Sequence, residues 1–136
     1  MWQILLQSRK TYLPYAQSPH SDADSLRWVE NTLIPQCEVI IAERDAVDVG
    51  VVATSVDQQN GWIEQLYVAP GCIGQGVGGR LLRHVLSELP RPVQLWCFQQ
   101  NEHALAFYTH FGFNAIAYTD GAGNEERCPD VLLELR

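Results

Sequence analysis

The stretch WIEQLYVAPGCIGQGVGGRLLRHVLSEL, residues 62–89, decides the reading of this chain. Its first part, Trp62 to Val68, is apolar and β-prone, and predicts a strand. Five glycines follow within nine residues: Gly71, Gly74, Gly76, Gly78 and Gly79. Val77, Leu81, Leu82, Val85, Leu86 and Leu89 then recur at helical spacing. A buried strand thus feeds a helix through a loop almost without Cβ atoms. The first N–H groups of a helix lack internal partners and carry about half a positive charge. Glycines let phosphates approach them, so the loop reads as a pyrophosphate cradle.

Outward from this stretch, apolar runs at 38–45 and 48–56 predict two strands, and DQQNG at 57–61 predicts a hairpin turn ending in Asn60–Gly61, a strong hairpin signal. Their lack of clean alternation predicts strands covered on both faces. Residues 93–100 predict a strand parallel to 62–68 across the helical crossover. Asn101 is placed to cap a helix carrying Ala104, Phe107, Tyr108 and Phe111 on one face, ended by Gly112. Residues 113–119 and 131–135 alternate and predict two more strands. Before residue 38, two helices are expected, one ended by Pro14, the other opened by Ser21 and Asp24 and ended by Pro35. The predicted order is ααβββαβαββ, an α/β (α+β layered) single domain over residues 1–136.

A chain of 136 residues with 46% hydrophobic and 18% charged residues is globular and long enough for one core. Its net charge is −7 and Lys10 is its one lysine, which argues against nucleic acid as a partner and suits a cationic or amine substrate. Cys37, Cys72, Cys97 and Cys128 show no metal-ligand spacing, so no metal is expected. Reduced thiols are expected, with no signal peptide and no membrane span, hence a cytoplasmic protein.

Gly74-Gln75-Gly76-Val77-Gly78-Gly79 also fits the dinucleotide fingerprint GxGxxG. That fingerprint wants an acidic residue at the end of the next strand, which here ends Phe98-Gln99-Gln100. It also opens its sheet, whereas three predicted strands precede this loop. A dinucleotide site therefore fits poorly.

Two motifs together are more specific. Ile73-Gly74-Gln75-Gly76-Val77-Gly78, followed after a strand by Asn101, Ala104, Phe107, Tyr108, Gly112 and Phe113, resembles the Gcn5-related N-acetyltransferase (GNAT) superfamily over residues 38–136. The resemblance implies a mixed, mostly antiparallel sheet of about six strands with helices on both faces. The first edge strand is expected to be missing, because the chain opens directly in helix. It implies acetyl-CoA as cosubstrate and direct acetyl transfer to a primary amine, on a small molecule or a peptide, in a ternary complex. A non-catalytic acyl-CoA sensor of the same fold is the alternative.

In such a protein the strands at 62–68 and 93–100 splay at their C-terminal ends and the pantetheine arm lies between them. Tyr67, Val68, Ile73, Gly74, Gln75, Gly76, Val77, Gly78, Gly79, Asn101 and Tyr108 would hold the cofactor. The Val68 N–H would polarise the thioester carbonyl. Ile73 departs from the family's usual Gln or Arg. Tyr108 matches the general acid, and Glu64 is the candidate base. Glu125, Glu126, Tyr12, Tyr15 and His20 are candidate acceptor contacts; His84, His103 and His110 read as surface residues and Cys97 as a non-nucleophilic thiol. An exposed strand edge would allow a homodimer.

Overall fold

The computed structural model describes residues 37–122 and 127–136. The two helices expected before residue 36, their caps, and any strand preceding them lie outside these residues.

Six strands form one sheet: β1 (Glu38–Arg44), β2 (Val47–Asp57), β3 (Asn60–Val68), β4 (Val93–Phe98), β5 (Asn114–Tyr118) and β6 (Asp130–Leu135). Helix α1 (Val77–Leu86) connects β3 to β4, and α2 (Glu102–His110) connects β4 to β5. The strand order is β1-β2-β3-β4-β6-β5. All neighbouring pairs are antiparallel except β3 and β4, the pair joined by the α1 crossover. The mixed α/β sheet expected from the sequence is therefore present.

Helix α1 buries Val77, Leu81, Leu82 and Val85 on one stripe. Each such side chain contributes roughly 1.5–3 kcal/mol through apolar burial. They meet Val49 and Val52 of β2, Ile63 of β3, Val93 and Leu95 of β4, and Val131 and Leu133 of β6 in one core. Helix α2 packs on the same face, beside α1: the Arg83 guanidinium lies 5.4 Å from the Phe111 ring centre. On β2, Val51 and Ala53 point away from that core and are also fully buried. The continuous apolar run of β2 is thus explained by cover on both faces. Strand β1 departs from the same expectation, because it is an edge and stays half-exposed. Strand β5, the other edge, is exposed along its length, and Ile116 drops out of its ladder between Ala115 and Ala117. A bulge of this kind blunts an edge.

The β2–β3 turn differs from the sequence expectation. Gln58 and Gln59 occupy the left-handed turn positions, with φ of 50° and 73°. Asn60 and Gly61 lie within β3, opposite Asp57 and Val56. The glycine serves another contact. Its N–H reaches the carbonyls of Pro90 at 3.2 Å and Pro92 at 3.0 Å, where the chain enters β4. A Cβ there would sit 2.8 Å from the Pro90 oxygen and 2.9 Å from Leu89 Cβ. This is the point where β3 and β4 are pinned together.

Gly61→Ala is accordingly expected to destabilise the fold by about 1–3 kcal/mol, the usual cost of overpacking. Chemical denaturation should show a lower midpoint at unchanged slope; an unchanged midpoint would mean that the contact yields freely.

Candidate functional site

Strands β3 and β4 pair only at Gly61↔Val93 and Trp62↔Gln94. Beyond Trp62 they part. Strand β4 stays bonded to β6 from Val93↔Leu135 to Phe98↔Asp130, and β3 stays bonded to β2 as far as Val68. The gap is therefore a forced divergence of two well-paired strands, not fraying. A bulge helps to steer β3 away. Ala53 faces Gln65 and Thr54 faces Ile63, so Glu64 is the extra residue with no partner across the ladder. Bulges raise the local twist and re-aim a side chain.

The opening holds two cavities. The larger, about 620 Å³, is lined by Glu64, Gln65, Trp96, Cys97, Thr119 and Asp130 among others. The smaller, about 370 Å³, lies on the helix side and is lined by Val68, Ile73, Gly78, His103 and Phe107 among others. Leu66, Tyr67, Asn101, Ala104 and Tyr108 line both. The two spaces therefore meet at Tyr108.

Tyr108 is held from several sides. Its ring packs edge-on against Phe107 at 5.2 Å and Phe113 at 5.5 Å between centres. The chain reversal after α2 is tied to it, since Phe113 N–H donates to the Tyr108 carbonyl at 3.1 Å. Burial first, then the neighbouring Cys97 and Tyr67, push its phenol well above the ordinary tyrosine range. The group stays protonated in the folded chain. Cys97, facing the same opening, is likewise pushed up to about 12 by burial and then by Asp130, so it is an inert thiol. Asn101 caps α2, its side-chain oxygen accepting from the Ala104 N–H at 3.2 Å.

At the start of α1, Gly74 and Gly76 have φ of 82° and 83°. Only glycine adopts this conformation cheaply. A Cβ on either would meet nothing within 4 Å, so the surface before them is open. Gly76 is the N-cap, no side chain caps the helix, and its first turn carries no acidic residue. The positive helix end is thus left unneutralised by the chain itself. Gly78 and Gly79 have a different setting: a Cβ on them would lie 3.5 Å from the rings of Phe107 and Phe111 respectively, so they let α1 and α2 pack closely. Val77 points into the core, Ile73 is exposed, and Gln75 accepts a hydrogen bond from Arg44 of β1. The Ala69 N–H donates to Val49 of β2 at 2.8 Å. Because N–H directions alternate along a strand, that of Val68 is turned toward the gap.

Glu64 faces the larger cavity, accepting a hydrogen bond from Ser55 Oγ at 2.7 Å. Burial and then the Glu64 carboxylate raise the pKa of the Cys37 thiol. Cys37, Ser55, Trp96, Thr119 and Asp130 were not expected at the site. Only the pairing of their strands brings them there. His84 pairs with Glu88 at 3.6 Å, and His110 is exposed beside Phe111. Tyr12, Tyr15, His20, Glu125 and Glu126 lie outside the described residues. Among the described residues no cluster of His, Cys, Asp or Glu could hold a metal, none of the four cysteines is bridged, and no helix is long and apolar enough to cross a membrane.

Comparison with known proteins places this geometry. The chain is similar in structure to the PaiA N-acetyltransferase of Thermoplasma acidophilum in complex with coenzyme A, with a TM-score of 0.80 and 15% identity over 99% of this chain and 89% of that one. It is similar to the ribosomal-protein-S18-alanine N-acetyltransferase of Escherichia coli, with a TM-score of 0.76 and 18% identity over 98% of this chain and 83% of that one. It also resembles Arabidopsis thaliana Naa50 in complex with the bisubstrate analogue CoA-Ac-MVNAL, with a TM-score of 0.69 and 20% identity over 98% and 91%. At such identities these likenesses establish the fold alone. No curated protein matches the sequence itself. Residues 2–113 match the family described as the acetyltransferase (GNAT) family, and the chain, with its parted strands and glycine-lined helix start, belongs to that family.

Proposed function

We propose that this chain is an acetyl-CoA-dependent N-acetyltransferase that works by direct transfer in a ternary complex. The observation that carries the reading is the meeting of two cavities at Tyr108, one reached from the glycine loop, the other from Glu64. A cofactor and an acceptor entering from opposite sides would place thioester and amine in one opening.

Gly74, Gln75, Gly76, Val77, Gly78 and Gly79 would receive the pyrophosphate on backbone N–H groups, which need no charged side chain and so tolerate Ile73. The pantetheine arm would run past Tyr67, Val68 and Asn101. The amine nitrogen attacks the thioester carbonyl carbon, the Val68 N–H stabilises the developing oxyanion, and the C–S bond breaks. Tyr108 donates its proton to the departing sulfur and is reprotonated, directly or through water, by the second proton that the nitrogen sheds as the amide forms. A free thiol has a pKa of about 8.5, so the sulfur leaves without much help. General-acid assistance of ~10²–10⁴-fold is therefore the ceiling. An alkyl ammonium with a pKa near ~10.4 must first lose a proton. Glu64, alone or through water, is the acceptor for it. The bulge is what lets an acidic residue inside β3 face this opening. Acceptors are primary amines of small molecules or peptides. The peptide portion of the analogue bound to Naa50 makes a peptide terminus a natural first trial.

Calorimetry with acetyl-CoA, and mass-spectrometric detection of N-acetylated products from spermidine and from short peptides with free termini, test the reading. Micromolar cofactor binding and a product from either class are expected. Cofactor binding with no product would leave a binding module, and failure to bind acetyl-CoA would remove the reading altogether. Tyr108→Phe is expected to keep acetyl-CoA affinity within about threefold while turnover falls at least tenfold, within the general-acid range. Gly76→Ala should weaken acetyl-CoA at least tenfold, because the left-handed N-cap costs an L-residue about 1–2 kcal/mol and the added methyl faces the phosphates.

The raised pKa of Tyr108 has a further consequence, with a definite sign. Its contribution to stability is whole below the unfolded phenol's pKa, about 10, and is lost as the pH climbs above it. Before alkaline unfolding begins, ultraviolet titration should therefore find the same number of ionising tyrosines in wild type and Tyr108→Phe. One more in the wild type would mean that the phenol is open to water.

A further inference from the structure

Side chains alternate across a sheet, so the two faces of the opening are distinct. Leu66 and Val68 of β3 and Cys97 of β4 belong to the core under α1 and α2. Tyr67 and Phe98, between or beside them, point to the opposite face. There they pack against one residue from the β5–β6 connection, the buried Cys128, in a small cluster separate from the main core. Cys128 thus spans the two parted strands on the side away from the helices.

What seats Cys128 is the turn after β5. Gly121 is buried and left-handed, with φ of 86°. A Cβ on it would collide with the Cys128 backbone, lying 2.6 Å from the carbonyl oxygen and 2.8 Å from the nitrogen. Nothing flexible is available to give way. The turn is itself fastened to β6. The Thr119 N–H donates to the Asp130 carbonyl at 2.9 Å, the Thr119 hydroxyl donates to the Asp130 carboxylate, and the Gly121 N–H donates to Thr119 Oγ1 at 3.1 Å. Gln99 adds a brace, its side-chain amide donating to the Thr119 and Asp130 carbonyls at 2.8 and 2.9 Å. Thr119 and Asp130 line the larger cavity directly.

The geometry points to Gly121 as a positioning residue for the acceptor: by docking on the Cys128 backbone it seats Cys128 against Tyr67 and Phe98, and the cavity wall that those two rings form selects which amines reach Glu64 and Tyr108. Gly121 and Cys128 touch no part of the glycine-lined start of α1, where the pyrophosphate would sit, although Tyr67 borders both cavities. This inference rests on the transferase reading above, and it adds a chemical preference. The wall presents two aromatic rings backed by the Cys128 thiol, with Trp96 of β4 also lining the cavity. It favours amines carried on an apolar or aromatic body over strongly hydrated ones.

The test joins one readout that needs no turnover to one that does. Iodoacetamide labelling of Cys128, followed by mass spectrometry, should be slow in the wild type and at least tenfold faster in Gly121→Ala. In the same variant the KM for a peptide amine with an aromatic second residue should rise at least fivefold, with kcat changed less than KM and acetyl-CoA affinity by calorimetry held within threefold. Cys128→Ala leaves the turn intact and opens the wall; its KM for that amine should rise at least threefold with unchanged acetyl-CoA affinity. The docking is overturned if Gly121→Ala leaves Cys128 as protected as before. The selective role is overturned if both variants keep the wild-type KM, or if acetyl-CoA affinity falls as far as amine affinity. The labelling result stands whether or not the transferase reading does, so the two failures are distinguishable.

Discussion

Strand β4 gives its hydrogen bonds to β6 along its whole length and to β3 at only two residue pairs. Most of what is distinctive about this chain follows from that unequal sharing. A parallel pair that stayed zipped would bury its backbone groups against one another and leave no opening. Here the Gly61 contact with Pro90 and Pro92 clamps the near end, while the Glu64 bulge turns β3 away at the far end. The cleft is then a consequence of how the strands pair.

Helix α2 shows how the cleft shapes its surroundings. Only Tyr108 of this helix is buried, and Ala104, Leu105 and Phe107 stay half-covered. An ordinary core-facing helix would bury that whole stripe. Here part of it lines the space between the strands. The same logic applies to the glycines. Gly78 and Gly79 bring α1 close to the rings of Phe107 and Phe111, while Gly74 and Gly76 leave the helix start bare. One run of small residues therefore does two jobs, tightening the fold on one side and exposing N–H groups on the other.

Electrostatics divides the opening into unlike ends. The α1 start is positive by virtue of its backbone, with no acidic side chain in its first turn. The larger cavity carries the carboxylates of Glu64 and Asp130. Under the proposed function an anionic cofactor and a cationic amine would each be drawn to a different side, in a chain whose net charge is −7. Between them lies a phenol kept protonated by burial.

Local sequence determined a good deal of this. Helical spacing in 77–89, β-prone runs at 38–68 and 93–98, and the Asn101 cap are legible because propensity, capping and periodicity act over a few neighbouring residues. The glycine loop and the Asn101-to-Phe113 motif together identified the family for the same reason. The turn expected over 57–61 narrows to Gln58–Gln59, and Asn60 and Gly61 join β3, because Gly61 is required by a contact with residues about thirty positions away, which no local rule registers. The facing of Glu64 was also undecidable locally, since a bulge exists only in the register between two strands. Trp96, Thr119 and Asp130, which line the larger cavity, and Ser55 and Cys128, which back it through Glu64, Tyr67 and Phe98, carry no local signal at all; they come together only when β2, β4, β6 and the loop before β6 are set side by side. The sequence by itself thus determined most of the described elements and the glycine-lined helix start, and the tertiary structure alone decided the opening, because a gap between strands is a property of their pairing and belongs to neither strand.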